Sequence, residues 1–200
     1  GETDHDPGRI RFKPGLRQSL THAMQDDLER VLVDEAVIER RLDAMAREIE
    51  RDFPAGPLVV VILLKGALVF AADLLRRVPR ALEIECLNVA SYHGGTQSSG
   101  TVDFLDRHFP EVQGRQILLL DDILDTGRTL HAVRLRLLEE GATGVRTAVL
   151  LAKDKPRAEE VSADYVGFEI GDEFVVGYGL DYQGRYRNLP YVGVLKPPSA

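Results

Sequence analysis

Hydrophobic positions along the chain follow two periods. Leu58-Val59-Val60-Val61-Ile62-Leu63-Leu64 and Ile117-Leu118-Leu119-Leu120 are continuous aliphatic runs, as in strands buried on both faces of a parallel sheet, and Val145 to Leu151 is a third. Ala81 to Ala90 alternates enough for a further strand, Tyr165 to Ile170 for another, and Leu28 to Val33 for a short edge strand. Between these runs the period lengthens. Ile38, Leu42, Met45 and Ile49 mark one face of a charged helix that begins after Asp34, a residue suited to an N-cap. A second helix is predicted from Ala67 to Arg77, closed by Pro79. A third follows from Leu130, Val133, Leu137 and Leu138 and stops at Gly141. Strands alternating with helices predict an α/β domain.

The aliphatic run from Ile117 leads straight into Asp121-Asp122-Ile123-Leu124-Asp125-Thr126-Gly127-Arg128-Thr129. The strand is expected to end after Leu120, placing two adjacent carboxylates at its C-terminal end and a short loop before the helix. In open α/β sheets that junction binds ligands, because loop amides and the positive helix end face outward beyond the strands. Small and hydroxylated residues from Asp125 to Thr129 suit the wrapping of a phosphate monoester, with Thr126 and Thr129 as added donors. Asp121 and Asp122 would repel that phosphate unless sugar hydroxyls or a hard cation such as magnesium lie between. The stretch has neither the lysine of a GxxxxGK[ST] loop nor the spacing of GxGxxG, which excludes the two commonest nucleotide-binding patterns.

Other chemistry is expected at the same edge. Lys65-Gly66 follows the first buried run and offers a cation and a close-approach backbone suited to pyrophosphate. Lys153 follows the run that ends near Leu151. Ser91-Tyr92-His93-Gly94-Gly95-Thr96-Gln97-Ser98-Ser99-Gly100 reads as a mobile hairpin, or as a lid over a reacting sugar. His93 and His108 are not expected to act as bases. From Tyr165 to Tyr191 aromatic residues alternate with glycines and no long helix, which reads as the core of a β-rich subdomain, or as one that adds a flat slot for a heterocycle.

The net charge of −7, from 25 Lys and Arg against 32 Asp and Glu, disfavours broad nucleic-acid or anionic-membrane binding. No apolar stretch approaches the length of a membrane span, and the polar N-terminus resembles no signal peptide. Cys86 is the only cysteine, which rules out an intrachain disulfide and a cysteine-based zinc site. A cytoplasmic location is the expectation.

The Asp121 to Thr129 stretch resembles the signature of type I phosphoribosyltransferases, two acids followed by a D-[ST]-G-x-T loop. The Leu64-Lys65-Gly66 corner, the Ser91-Tyr92 loop, Lys153 and the segment from Val166-Gly167-Phe168-Glu169-Ile170 to Asp181-Tyr182 are similar to the hypoxanthine-guanine branch of that family. The resemblance implies a central mainly parallel sheet flanked by helices, with a small hood from the N- and C-terminal segments. The polar residues 1 to about 15 read as a flexible arm, and the resemblance implies a single domain over 16–200, with its core at about 34–160 and its hood and base-binding segment at about 161–200 plus part of the N-terminal segment.

The activity implied is purine salvage, the transfer of the 5-phosphoribosyl group from phosphoribosyl pyrophosphate to hypoxanthine or guanine. Asp125 is then the acid/base group at the purine N7. Lys153, Phe174, Val175 and Asp181 belong to the base-binding segment, with Lys153 on the exocyclic oxygen and Phe174 stacked on the ring. Asp121, Asp122, Asp125, Thr126, Gly127, Arg128 and Thr129 hold ribose and 5′-phosphate, and Lys65, Gly66 and Arg187 hold pyrophosphate. Ser91 and Tyr92 belong to the lid, and Asp121, Asp122 and Asp181 to a Mg2+ site. Partners are small-molecule substrates and a second copy of the chain, as a dimer or tetramer. Two positions depart from the family pattern: Asp121, where Glu is frequent, and Gly171, where proline is frequent.

Overall fold

The computed structural model describes residues 24, 26–91, 102–106, 108–159 and 161–196. Its main sheet has six strands: β2 (Leu58–Leu64), β3 (Leu82–Ser91), β4 (Val102–Phe104), β5 (Gln116–Leu124), β6 (Gly144–Lys153) and β7 (Tyr165–Ile170). Their order is β4-β3-β2-β5-β6-β7. All neighbours are parallel except β4, which returns antiparallel along the end of β3.

The continuous apolar runs lie at the centre because they are covered twice. Val60, Ile62, Leu118 and Leu120 pack beneath α1 (Glu35–Asp52) and α2 (Leu68–Leu75), while Val59, Val61, Ile117 and Leu119 face α3 (Arg128–Glu139). Burying each such side chain contributes about 1.5–3 kcal/mol, so the strands carrying the rim residues belong to the most stable part of the fold. Helix α1 starts where expected, with the Asp34 carboxylate accepting from the Val37 N–H at 3.0 Å. Its buried stripe is Ile38, Leu42, Met45 and Ile49.

A second, three-stranded sheet has the order β1-β9-β8, from β1 (Leu28–Val33), β8 (Val175–Val176) and β9 (Val192–Leu195), all antiparallel. Leu28, Val176, Tyr186, Leu189 and Tyr191 form its own small core. The two ends of the described chain therefore meet in one hood, and three of the C-terminal aromatics, Tyr182, Tyr186 and Tyr191, serve as its packing.

Three expectations need correction. First, β5 does not stop at Leu120. It loses β2 there, the last pair being Ile62 with Leu120, but stays paired to β6 through Leu124 with Ala152. Asp121 and Asp122 thus sit inside a strand whose one side is opened where its pairing with β2 ends. Second, β6 runs on through Lys153, which makes that lysine a strand residue. Third, the stretch from about residue 161, expected as hood and base-binding segment, divides between the two sheets. Tyr165 to Ile170 pairs parallel with β6 as the edge of the main sheet, so the hood's C-terminal share starts at Val175.

Ser91 ends β3, its backbone paired with Val102 of β4. Tyr92 and residues 93–101 of the expected lid, and the arm at 1–15, lie outside the described residues.

Candidate active site

One cleft opens at the carboxyl rim of β2 and β5, with a volume of about 240 Å3. Asp121, Asp122, Asp125, Thr126, Gly127 and Thr129 line it from β5 and the following turn, Gly66 from the end of β2, and Asp181 and Arg187 from the segment between β8 and β9. These sequence-predicted residues thus share one side of the sheet. Arg128 and the exposed Lys65 side chain do not line the cleft; only the backbone of that corner faces it. His108 is exposed.

The turn from Asp125 to Gly127 joins β5 to α3. Gly127 stands just before the helix at φ 81°, and a Cβ there would come within 2.5 Å of Val161 Cγ1. Only glycine suits both demands. The Thr126 carbonyl accepts from Ala158 N at 3.1 Å and Glu159 N at 3.4 Å, so the chain after β6 clasps the turn from outside. The loop is held by backbone contacts, leaving Thr126 and Thr129 and the positive end of α3 directed to the cleft, a ready anion site.

Asp121 and Asp122 are half-buried beside it. Asp121 Oδ1 accepts from Asp122 N at 2.9 Å, and Asp122 Oδ1 from Ile123 N at 2.8 Å. Burial pushes the Asp121 carboxyl well above the usual range, and the Asp122 charge pushes it the same way; burial also raises Asp122. The pair is therefore disposed to take up positive charge or hydroxyl donors.

The opposite wall is built from backbone. A Cβ on Gly66 would fall 1.7 Å from Asp122 Oδ2, and a Cβ on Gly179 (φ 103°) would fall 2.1 Å from the Gly66 carbonyl. Arg187 Nη1 donates to the Gly179 carbonyl at 2.7 Å, and its Nη2 pairs with Asp181 Oδ1 at 2.7 Å. Asp181 Oδ2 accepts from Gly184 N at 2.7 Å. Gly66, Asp122, Gly179, Asp181 and Arg187 form one contiguous corner, in which the Leu64–Lys65 peptide is cis.

Beyond Asp125 lies a charged cluster. Lys155 Nζ is 2.6 Å from Asp125 Oδ1 and 2.8 Å from Asp172 Oδ1. Lys153 Nζ, almost fully buried, is 3.6 Å from Asp125 Oδ2 and 3.1 Å from Asp172 Oδ1. The Asp125 and Asp172 carboxylates push Lys155 up, and the two ammoniums hold Asp172 below the usual carboxylate range, Lys155 first. Phe174 is half-exposed at 53%, its ring centroid 5.6 Å from that of Tyr182 in an edge-on arrangement, whereas Val175 is buried in β8.

Sequence reasoning assigned a role to Lys153 but none to Lys155 or Asp172. Two lysines two residues apart at a strand end project to the same side, a signal that was available. It also missed Gly179 and Tyr178, whose roles arise only when the C-terminal segment folds back on the Lys65–Gly66 corner. Among the described residues, no three His, Cys, Asp or Glu side chains gather closely enough to hold a metal unaided. Asp181 is engaged with Arg187 and Gly184 and does not join Asp121 and Asp122 in a three-acid cage.

Residues 32–183 match the family model described as phosphoribosyl transferase domain. The hypoxanthine-guanine phosphoribosyltransferase of Staphylococcus aureus is 40% identical over 174 residues, which cover 87% of this chain and 97% of that protein. The bifunctional protein TilS/HprT of Listeria monocytogenes is 43% identical over 175 residues, and there the chain spans only 27% of the longer relative. Among solved structures, a hypoxanthine phosphoribosyltransferase from S. aureus superposes with a TM-score of 0.83 at 40% identity, covering 88% of this chain and 95% of the other. One from Trypanosoma cruzi gives 0.81 at 35% identity, covering 86% and 93%.

Proposed function

The chain belongs to the phosphoribosyl transferase domain family, and from that premise we propose that it is a purine-salvage enzyme. It transfers the 5-phosphoribosyl group from phosphoribosyl pyrophosphate to a 6-oxopurine, hypoxanthine or guanine, with IMP or GMP and pyrophosphate as products. The observation that carries the reading is the juxtaposition at one rim of a glycine turn before a helix, a pair of carboxylates, and a carboxylate beside a buried lysine, with Asp125 Oδ2 and Lys153 Nζ 3.6 Å apart. A 6-oxopurine carries N7 and O6 side by side on one edge. With hydrogen on N7, that edge offers a donor next to an acceptor, complementary to Asp125 and Lys153.

In this reading the Asp125 to Thr129 turn holds the 5′-phosphate through amides, Thr126 and Thr129. Asp121 and Asp122 take the ribose hydroxyls. Arg187 and the Lys65–Gly66 backbone meet the pyrophosphate, while Phe174 covers the face of the base and Val175 its far edge. As N9 bonds to the sugar carbon and pyrophosphate leaves, Asp125 accepts the N7 proton, a step typically worth about 10² to 10⁴ in rate. Lys153 donates to O6, so the 6-amino group of adenine would leave a buried donor unmatched.

Asp121 and Asp122 also fit Mg2+: they are oxygen donors, adjacent, and both burdened by burial, Asp121 also by the Asp122 charge. Magnesium commonly uses one or two carboxylates plus substrate phosphates, which suits a pair of acids with Asp181 across the cleft. When bound, it would neutralise charge on the departing pyrophosphate. A lid at Ser91 and Tyr92, assembly as a dimer or tetramer and a cytoplasmic location complete the proposal. No helix among the described residues is long and apolar enough to cross a membrane.

The test is an absorbance assay with phosphoribosyl pyrophosphate, magnesium and hypoxanthine, guanine, xanthine or adenine in turn. Turnover of hypoxanthine or guanine with release of pyrophosphate is expected. Turnover of adenine alone, or of no base, refutes the reading.

A further inference from the structure

We propose that Lys155 is a positioning residue for Asp125: its ammonium holds Oδ1, which leaves Oδ2, beside Lys153, as the acceptor for the N7 hydrogen of the incoming base. The inference rests on the purine reading above and extends it to a residue that the sequence pattern did not single out.

Asp125 Oδ1 is buried, and apart from the Lys155 contact at 2.6 Å it has no hydrogen-bond partner among the described residues. Lys155 is itself tethered, because Asp172 Oδ1 lies 2.8 Å from its Nζ. The same Asp172 oxygen is 3.1 Å from Lys153 Nζ, so one carboxylate sets the positions of both ammoniums. The four groups alternate in charge and have no net charge. A lone exposed ion pair contributes little and would be left without a role. This one differs because the Lys155 side chain is 26% exposed and the Asp125 side chain 32%, and because each ammonium is shared between two acids.

The carboxylate therefore has two unlike oxygens. Oδ1 is taken by Lys155, whereas Oδ2 faces Lys153 across 3.6 Å, beyond hydrogen-bond range, so the acceptor and donor remain free for a ligand edge between them. Without Lys155 the carboxylate can rotate about χ2 and swing Oδ2 onto Lys153, closing that gap. Misplacing a catalytic group by about 1 Å costs on the order of 10²-fold, so the effect belongs in the chemical step and not in sugar-phosphate binding.

The experiment compares Lys155→Ala, Lys155→Arg and Asp172→Asn with the unmodified chain, using hypoxanthine and guanine at saturating phosphoribosyl pyrophosphate and magnesium. Lys155→Ala is expected to lower kcat by roughly 10- to 100-fold, with the KM for phosphoribosyl pyrophosphate unchanged. Lys155→Arg restores most of the rate, because a second cation can hold Oδ1, and Asp172→Asn lies between. Wild-type kcat in Lys155→Ala overturns the proposal. So does a loss confined to the KM for phosphoribosyl pyrophosphate, or one that follows a fall in Tm and is not rescued by arginine. If the unmodified chain turns over no 6-oxopurine, the purine reading itself fails and Lys155 loses its assigned role with it.

Discussion

Asp121, Asp122, Asp125 and Lys153 stand on β5 and β6 or one residue beyond, on strands whose aliphatic residues are buried on both faces. Across the cleft, Gly179, Asp181 and Arg187 come from a segment with almost no regular structure, between β8 and β9. That segment is shaped by left-handed residues, Gly177 at φ 97°, Tyr178 at 51° and Gly179 at 103°, and by backbone bonds such as Gly179 N to the Arg187 carbonyl at 2.9 Å. The first wall presents side chains from a rigid platform. The second presents backbone whose course depends on a few local conformations. Substitutions on the rim should therefore act through chemistry and leave the fold intact, whereas those in the hood should act through shape.

The largest effect is expected at the rim. Asp125→Asn removes the proton acceptor while preserving size, so kcat should fall by about 10² to 10⁴. Binding of phosphoribosyl pyrophosphate, measured by calorimetry, should persist, because the amides of the turn are untouched. A fully active Asn variant, or one that no longer binds the sugar phosphate, breaks the contrast.

Gly179→Ala probes the opposite wall. The added methyl would meet the Gly66 carbonyl at 2.1 Å, and alanine is disfavoured at φ 103°. Strain on the order of 1–3 kcal/mol should displace either the Gly179 loop or the Lys65–Gly66 corner. A fall of about tenfold or more in kcat/KM for phosphoribosyl pyrophosphate is expected, with the KM for the base less affected. An unchanged constant for the sugar phosphate would mean that the corner does not touch pyrophosphate.

Tyr178→Phe is a milder test of the same wall. The Tyr178 hydroxyl donates to Asp73 Oδ2 at 2.6 Å, tying the left-handed residue to α2, and burial with the Asp73 carboxylate pushes the phenol up. Losing one charge-assisted bond should cost about 1–3 kcal/mol and lower Tm by several degrees. The loss of kcat/KM should be smaller than for Gly179→Ala. Equal loss in the two variants would show that the anchor, and not the glycine backbone, positions the corner.

The same contrast explains what could be read from sequence. Buried strands announce themselves, so β2, β5 and β6 were legible to within a few residues, and with them the place of the polar residues at their ends. Asp34 as a cap and Ile38, Leu42, Met45 and Ile49 as a stripe were legible because both signals are local. The end of β5 was misplaced because two aspartates look like a terminus. Only the greater length of β6, a nonlocal fact, shows why they remain in a strand. β9 went unnoticed for a similar reason, since Val192–Leu195 is four residues whose strand character comes from pairing with Leu28–Val33. Asp172 meets Lys153 and Lys155 because β6 and β7 end side by side, and no spacing rule joins residues that far apart.

The smallest effect, and one of opposite sign, is expected at Asp121. Its carboxyl is raised by burial first and by the Asp122 charge second, so the folded state holds its proton more tightly than the unfolded chain does. Below the ordinary carboxylate range both states are protonated and nothing is lost. As pH rises through that range and up to the raised folded value, ionisation opposes folding, and above it the full penalty remains. Asp121→Asn removes that penalty and keeps the oxygen that accepts from Asp122 N at 2.9 Å. At neutral pH the substrate-free variant should melt a few degrees higher than the unmodified chain, and the difference should shrink as pH falls into the ordinary carboxylate range. Affinity for phosphoribosyl pyrophosphate with magnesium should drop in the same variant. A lower Tm at neutral pH would show that the Asp121 carboxylate stabilises the empty cleft, and that the rim bears no strain for the sake of its ligand.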